Sequence, residues 1–237
     1  MQKPLSHKML ITCEHAGNAV PREYSGLFGG AARQLAEHTG WDPGAQSLAE
    51  LLARHMHVPC LSYPYTRLLI EPNRSEGHPA LFSSFTKGLP EKVHEKLLQR
   101  YYRPYRRGVC KQVEKLGRSG AVVVHVGVHT FTPLLNGRER DFEIGLLYDP
   151  RRHAERGFCC RWRDELQQTG AELRVRMNRP YRGTSDGLTT WLRGEYGIRG
   201  YLGVELEVNQ RLYAQGLRRW RQIGNAIAVA LERAITF

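Results

Sequence analysis

The chain of 237 residues predicts an α/β fold, and three observations carry the prediction. Short stretches rich in β-branched residues alternate with stretches of helical apolar spacing, the order expected of strands interleaved with helices. One of them, AVVVHVGVHT at 121–130, is bounded by Gly120 and a Thr-Phe-Thr-Pro turn and reads as the clearest buried strand. Polar residues also gather at the ends of several predicted strands, where open α/β sheets place their ligands.

The elements follow in order. MLITCEH at 9–15 reads as a short buried strand ending in polar residues. Residues 31–55 carry helical spacing, interrupted at 40–44 by a Gly-Trp-Asp-Pro-Gly turn. Residues 60–71 alternate and contain Pro64, which predicts two extended pieces. An amphipathic helix is expected over 91–115, with a kink or boundary at Pro104. Strands are predicted at 142–149, 172–178 and 202–209, and helices at 152–169 and 217–236. With no repeat and no Pro/Gly/Ser-rich linker, the chain reads as one domain over 1–237.

Composition narrows the function. A chain of this length buries roughly 70% of its unfolded surface, so it needs no structural metal or disulfide to fold. No secretory pattern opens the sequence, and no uncharged apolar run reaches the ~18 residues of a membrane span. Five unpatterned cysteines, at 13, 60, 110, 159 and 160, predict reduced thiols and a cytoplasmic protein. The net charge of +12 is spread along the chain, and its local clusters at 151–163 and 218–221 read as solvated helix faces. Such a charge favours anionic substrates arriving by diffusion.

Three strand ends and one turn carry the chemistry. They present Glu14-His15, His125 with His129-Thr130, Glu205 with Glu207, and Asp42 between glycines. Histidine and carboxylate ligands from distant segments with a spare glutamate are the components of a catalytic zinc centre, whose fourth position is left to water. On one strand His125 and His129 share a face but stand ~13 Å apart, so they do not share a metal, and His125 is assigned to the core behind the site. Glu14 is a rival ligand, but a regular strand would point it away from His15.

The segments TCEHAGNAVPREY, HTGWDPGAQSLAELLA, YTRLLIEPNRSEGHP, HVGVHTFTP, RDFEIGLLYDP and GVELEVNQ, spread in order over 11–213, resemble the N-formylglutamate amidohydrolase family. Members resemble the zinc carboxypeptidases and aspartoacylase-like enzymes. The resemblance implies a three-layer αβα sandwich around a mixed, mostly parallel sheet, of the phosphorylase/hydrolase-like kind. It also implies cleavage of an N-acyl amide by a zinc-activated water. It assigns His15, Asp42 and His129 to one zinc ion and Glu207 to the general base and acid. Arg67, Asn73 and Arg74 fall to the substrate carboxylate, which a guanidinium grips through two parallel hydrogen bonds. Thr130, beside His129, and Arg182, in the glycine-bearing loop 181–189, are placed on the substrate side. The Cys13-Glu14 pair before His15 departs from the apolar-Pro-His arrangement of the histidine-degradation deformylases and marks a divergent branch.

Two other functions compete with this expectation. One is a zinc peptidase or amidase acting on a larger peptide or cell-wall substrate, which would require a wide, open cleft. The other is a non-catalytic basic nucleic-acid-binding protein, which would show steep salt dependence and no metal.

Overall fold

A computed structural model describes residues 7–235. Its central sheet has six strands in the order β2-β1-β3-β8-β6-β7. These are β1 (His7–Cys13), β2 (Cys60–Ser62), β3 (Val122–Phe131), β6 (Ile144–Leu147), β7 (Val175–Met177) and β8 (Tyr201–Asn209). The dipeptides β4 (Leu134–Leu135) and β5 (Arg138–Glu139) form a separate small hairpin. All neighbours in the sheet run parallel except β6 and β8. The sheet is therefore mixed and mostly parallel.

Period-two alternation sorts the side chains of these strands onto two buried faces. Met9, Ile11, Val124, Val126, Val204 and Leu206 pack under α2 (Ala45–Met56), α5 (His153–Gln168) and α8 (Leu217–Ile235). On the other face Leu10, Val123 and Tyr201 meet α4 (Arg103–Gly117) and α6 (Leu188–Gly200). These are the three layers of an αβα sandwich, and each fully buried Val or Leu stabilises them by about 1.5–3 kcal/mol. A third cluster, including Tyr24, Phe28, Tyr63, Leu69 and Tyr102, lies under the segment between β1 and β3. That segment includes α1 (Ala32–Ala36) and α3 (Glu91–Leu97), and α7 (Gln210–Ala214) follows β8.

The turn at 40–44 forms as expected. Gly44, at φ 88°, opens α2, and a side chain there would meet the Tyr213 ring at 2.8 Å. The helix expected over 91–115 is divided: α3 passes into a π-turn, Leu98–Tyr102, and then into α4. Pro104, in the first turn of α4, accounts for the division, because it has no N–H and its ring crowds the carbonyl four residues back.

Two expectations differ from the fold. The second half of 60–71 is a turn rather than a strand, apart from a single bridge between Tyr65 and Ala19. Thr66 closes that turn, its hydroxyl donating to Gly40 O while the Leu69 amide donates to Thr66 O. The loop at 181–189 gives way at Leu188 to α6, which sequence spacing did not reveal because glycines at 194, 197 and 200 interrupt it. Thr236, the expected end of the last helix, lies outside the described residues. Among the described residues no helix is long and apolar enough to cross a membrane.

Candidate active site

Strands β1, β3 and β8 are adjacent and parallel, so their carboxyl ends deliver side chains to one edge of the sheet. His15 follows β1, His129 stands near the end of β3, and Glu207 is its register partner on β8. Asp42 comes from the glycine-flanked turn, whose backbone is tied down by its own amide donating to His15 O at 3.0 Å. All four are at least 95% buried.

Three candidate donor atoms form a triangle. His15 Nδ1 and His129 Nδ1 lie 3.1 Å apart, and Asp42 Oδ2 is 3.3 Å from the first and 3.0 Å from the second. Around a tetrahedral zinc with ligands at about 2.0–2.1 Å, neighbouring donor atoms are ~3.3 Å apart, so this set fits such an ion. The outer ring nitrogens support the same reading. His15 Nε2 lies 2.6 Å from Glu71 Oε1, and His129 Nε2 lies 3.0 Å from Glu14 Oε2. With the His15 Nε2 proton toward Glu71, the His15 Nδ1 lone pair faces the candidate ion site, as in carboxylate–histidine–metal triads, while His129 Nε2 contacts Glu14 without a directed hydrogen bond. This buried His15-Asp42-His129 group could hold a metal ion.

The charges agree with the geometry. Four buried carboxyl groups, Glu14, Asp42, Glu71 and Glu207, converge where Arg67 is the neighbouring guanidinium. Burial alone would raise Asp42, but His15 and His129 hold it well below the usual carboxylate range. Burial likewise opposes ionisation of Glu71 and Glu14; Arg67 and His15 pull Glu71 down, and His129 pulls Glu14 down to about 2. His129 is raised well above an ordinary imidazole, because Asp42 and Glu14 outweigh its burial. A field that favours an imidazolium there also favours a metal cation.

Glu207 is different. Its Oε2 is buried with no hydrogen-bond partner, and burial, reinforced by Asp42 and Glu205, pushes the carboxyl up to about 8. A buried carboxyl with an unpartnered oxygen and a raised pKa is a candidate for proton transfer. A cavity of about 250 Å³ opens over these groups, and His15, Asp42, Arg67, Asn73, Arg74, His129, Thr130, Arg182, Glu205 and Glu207 all line it.

The sequence profile of N-formylglutamate amidohydrolases matches residues 7–214. The chain belongs to the N-formylglutamate amidohydrolase family. A gene product of Agrobacterium tumefaciens of known crystal structure is 30% identical, with a TM-score of 0.80 over 96% of this chain and 90% of that one. The N-formylglutamate amidohydrolase of Ralstonia eutropha has the same fold, at 17% identity and a TM-score of 0.70, with 98% and 94% of the two chains covered. No curated protein matches the chain.

The residues expected on the substrate side have unequal freedom. Arg67 is held by Glu71, at 2.7 Å from Nε and 2.6 Å from Nη2, and its Nη1 reaches Asp42 at 3.4 Å. That leaves two of its five N–H donors for a ligand. Asn73 accepts from the Leu188 amide at 2.6 Å, and Arg74 Nη1 donates to Asp186 O at 2.6 Å, which joins the 71–76 loop to the start of α6. The Thr130 hydroxyl donates to Pro43 O and accepts from Gln210. Arg182 is exposed at the rim, beside Tyr181 and Leu135.

Glu14 is not in the ligand triangle. Strand β1 ends at Cys13, so strand alternation no longer governs the next residue, and Glu14 reaches the far nitrogen of His129. His125 lies behind the site, fully buried, as its spacing from His129 implied. Sequence reasoning missed Glu71, the partner of His15. Its signal was the four-residue spacing from Arg67, which has meaning only once 66–69 is a turn and not a strand.

Proposed function

We propose that this protein, acting as one catalytic domain, is a zinc-dependent amidohydrolase that cleaves the amide of a small anionic N-acyl amino acid such as N-formylglutamate. The observation that carries the reading is the convergence of two Nδ1 atoms and one carboxylate oxygen, each imidazole backed by its own carboxylate. Zinc held by His15, Asp42 and His129 would supply Lewis acidity, lowering the pKa of water toward ~7 and polarising an acyl oxygen.

The chain's own groups do the rest. Glu207 takes a proton from the attacking water as the new C–O bond forms. It returns that proton to the departing nitrogen as the C–N bond breaks, so the products are a carboxylic acid and a free amino acid. Arg74 and Arg182, with the remaining donors of Arg67, meet the substrate's carboxylates, and Asn73 and Thr130 hold the loops around them. The cavity's volume of about 250 Å³ supports a small substrate over a peptide or cell-wall fragment. Five unpaired cysteines fit a reducing compartment, and we place the protein in the cytoplasm.

The substrate is tested by measuring free amine released from N-formyl, N-acetyl and N-succinyl derivatives of acidic and neutral amino acids. The highest kcat/KM is expected for a short acyl group on an acidic amino acid. Release from muramoyl peptides alone would overturn the assignment.

The acid–base role has a pH signature. A base works deprotonated, so activity falls as pH drops through the Glu207 pKa. Glu205 helps to raise that pKa. Glu205→Gln should therefore move the acid limb of kcat/KM to lower pH, by up to about one unit. An acid limb that stays put or moves upward would contradict the assignment.

A further inference from the structure

His125 takes no part in the hydrolysis, yet it sits in a connected polar path. On the sheet face covered by α4 and α6, Thr12, His125 and Tyr201 stand on three adjacent strands, each at most 1% exposed. His125 Nδ1 is 2.5 Å from the Tyr201 hydroxyl, and its Nε2 is 2.7 Å from Thr12 Oγ1. Thr12 Oγ1 and Glu14 Oε2 both approach the space beside Gly127, and Glu14 Oε2 lies 3.0 Å from His129 Nε2. The other oxygen of Glu14 accepts from Tyr105 of α4 at 2.8 Å.

The sheet makes room for this path. Gly203 is the register partner of His125, and a Cβ there would stand 2.7 Å from Tyr201 Cε1 and 2.9 Å from its hydroxyl oxygen. Gly203 thus lets the tyrosine lie along its strand and reach the histidine. A Cβ at Gly127, the partner of Thr12, would stand at ordinary contact distance from Glu14 Oε2 and Thr12 Oγ1, 3.4 and 3.7 Å away. The path also has a direction. Burial holds His125 neutral, pushed down to about 4, so its ring offers one donor and one acceptor. When Tyr201 donates to Nδ1 and Nε2–H donates to Thr12, the Thr12 proton is free for the Glu14 carboxylate. The reverse order would spend that proton on His125. A bond to a carboxylate is roughly twice as strong as one between neutral groups, which selects the first order.

We propose that His125 is a positioning residue which, through Tyr201 on one side and Thr12 on the other, orients the Glu14 carboxylate and thereby tunes the metal affinity of His129. This rests on the reading of His15, Asp42 and His129 as metal ligands. The test is the zinc dissociation constant of the full-length protein by chelator competition, together with the visible spectrum of the cobalt-loaded protein. Thr12→Val should weaken zinc about tenfold, the lower end of losses from outer ligand partners, and Tyr201→Phe by a smaller factor. Both should perturb the cobalt spectrum, and Thr12→Ser, which keeps the hydroxyl, should restore affinity and spectrum. Tyr201→Phe carries the test if Thr12→Val does not fold. Wild-type affinity and spectrum in both Thr12→Val and Tyr201→Phe would overturn the proposal, as would equal losses in Thr12→Val and Thr12→Ser. Wild-type protein that takes up no zinc would instead overturn the metal-site reading, and this proposal with it.

Discussion

Glu207→Gln should lower kcat by about 10²–10⁴, the usual reach of a general acid–base group, while KM and zinc content stay near wild type. The loss corresponds to roughly 3–5 kcal/mol of transition-state stabilisation. Three features of the site lead to that separation. Glu207 is the register neighbour of His129, so it stands beside the candidate metal site. Its Oε2 has no hydrogen-bond partner, so it holds no other residue in place. Its carboxyl is pushed up to about 8, chiefly by burial, so a neutral amide of the same shape is tolerated there. Steady-state kinetics with metal analysis on the same preparation measures both halves. Near-normal turnover would pass the role to Glu205, which faces the same cavity. Loss of zinc would make Glu207 a ligand rather than a base.

His129→Ala should have the second large effect, and it acts on metal and fold together. The substitution removes one corner of the ligand triangle, so zinc affinity should fall by more than the roughly 10–100-fold that loss of an outer partner costs. It also strips Glu14 and Asp42 of a shared cationic partner in a site at least 96% buried. Breaking a buried pair from one side costs about 3–5 kcal/mol, so the metal-free variant should melt well below metal-free wild type. Calorimetry of both proteins after chelation reads the stability, and chelator competition reads the affinity. His38→Ala is the matched control, because His38 lines the same cavity but is exposed and lies outside the triangle. Equal zinc affinity in His129→Ala and wild type would remove His129 from the metal site.

The sequence made some of this legible and not the rest, for physical reasons. The strand at 122–131 is a β-branched run, and period two alone places His125 and His129 on one face of it and Glu205 with Glu207 on one face of 201–209. The glycines around Asp42 made its turn legible, but its place beside His15 and His129 rested on the family resemblance. Glu71 was not legible, since the contact it makes spans 56 residues of sequence and depends on a turn that the alternating pattern of 60–71 conceals. The dual engagement of Arg67 was hidden for the same reason. Glu14 was misdirected because alternation was carried one residue beyond the end of β1. Helix α6 was masked by its glycines, although Leu188 and Leu192 keep helical spacing on its buried side.

The most direct measurement is zinc stoichiometry followed through removal and return of the metal. Freshly purified protein should carry about one zinc per chain, as one three-ligand centre requires. Chelation should abolish hydrolysis of an N-acyl amino acid, and one equivalent of zinc should restore it. Full activity in metal-free protein, or protein that neither contains nor takes up zinc, would contradict the account.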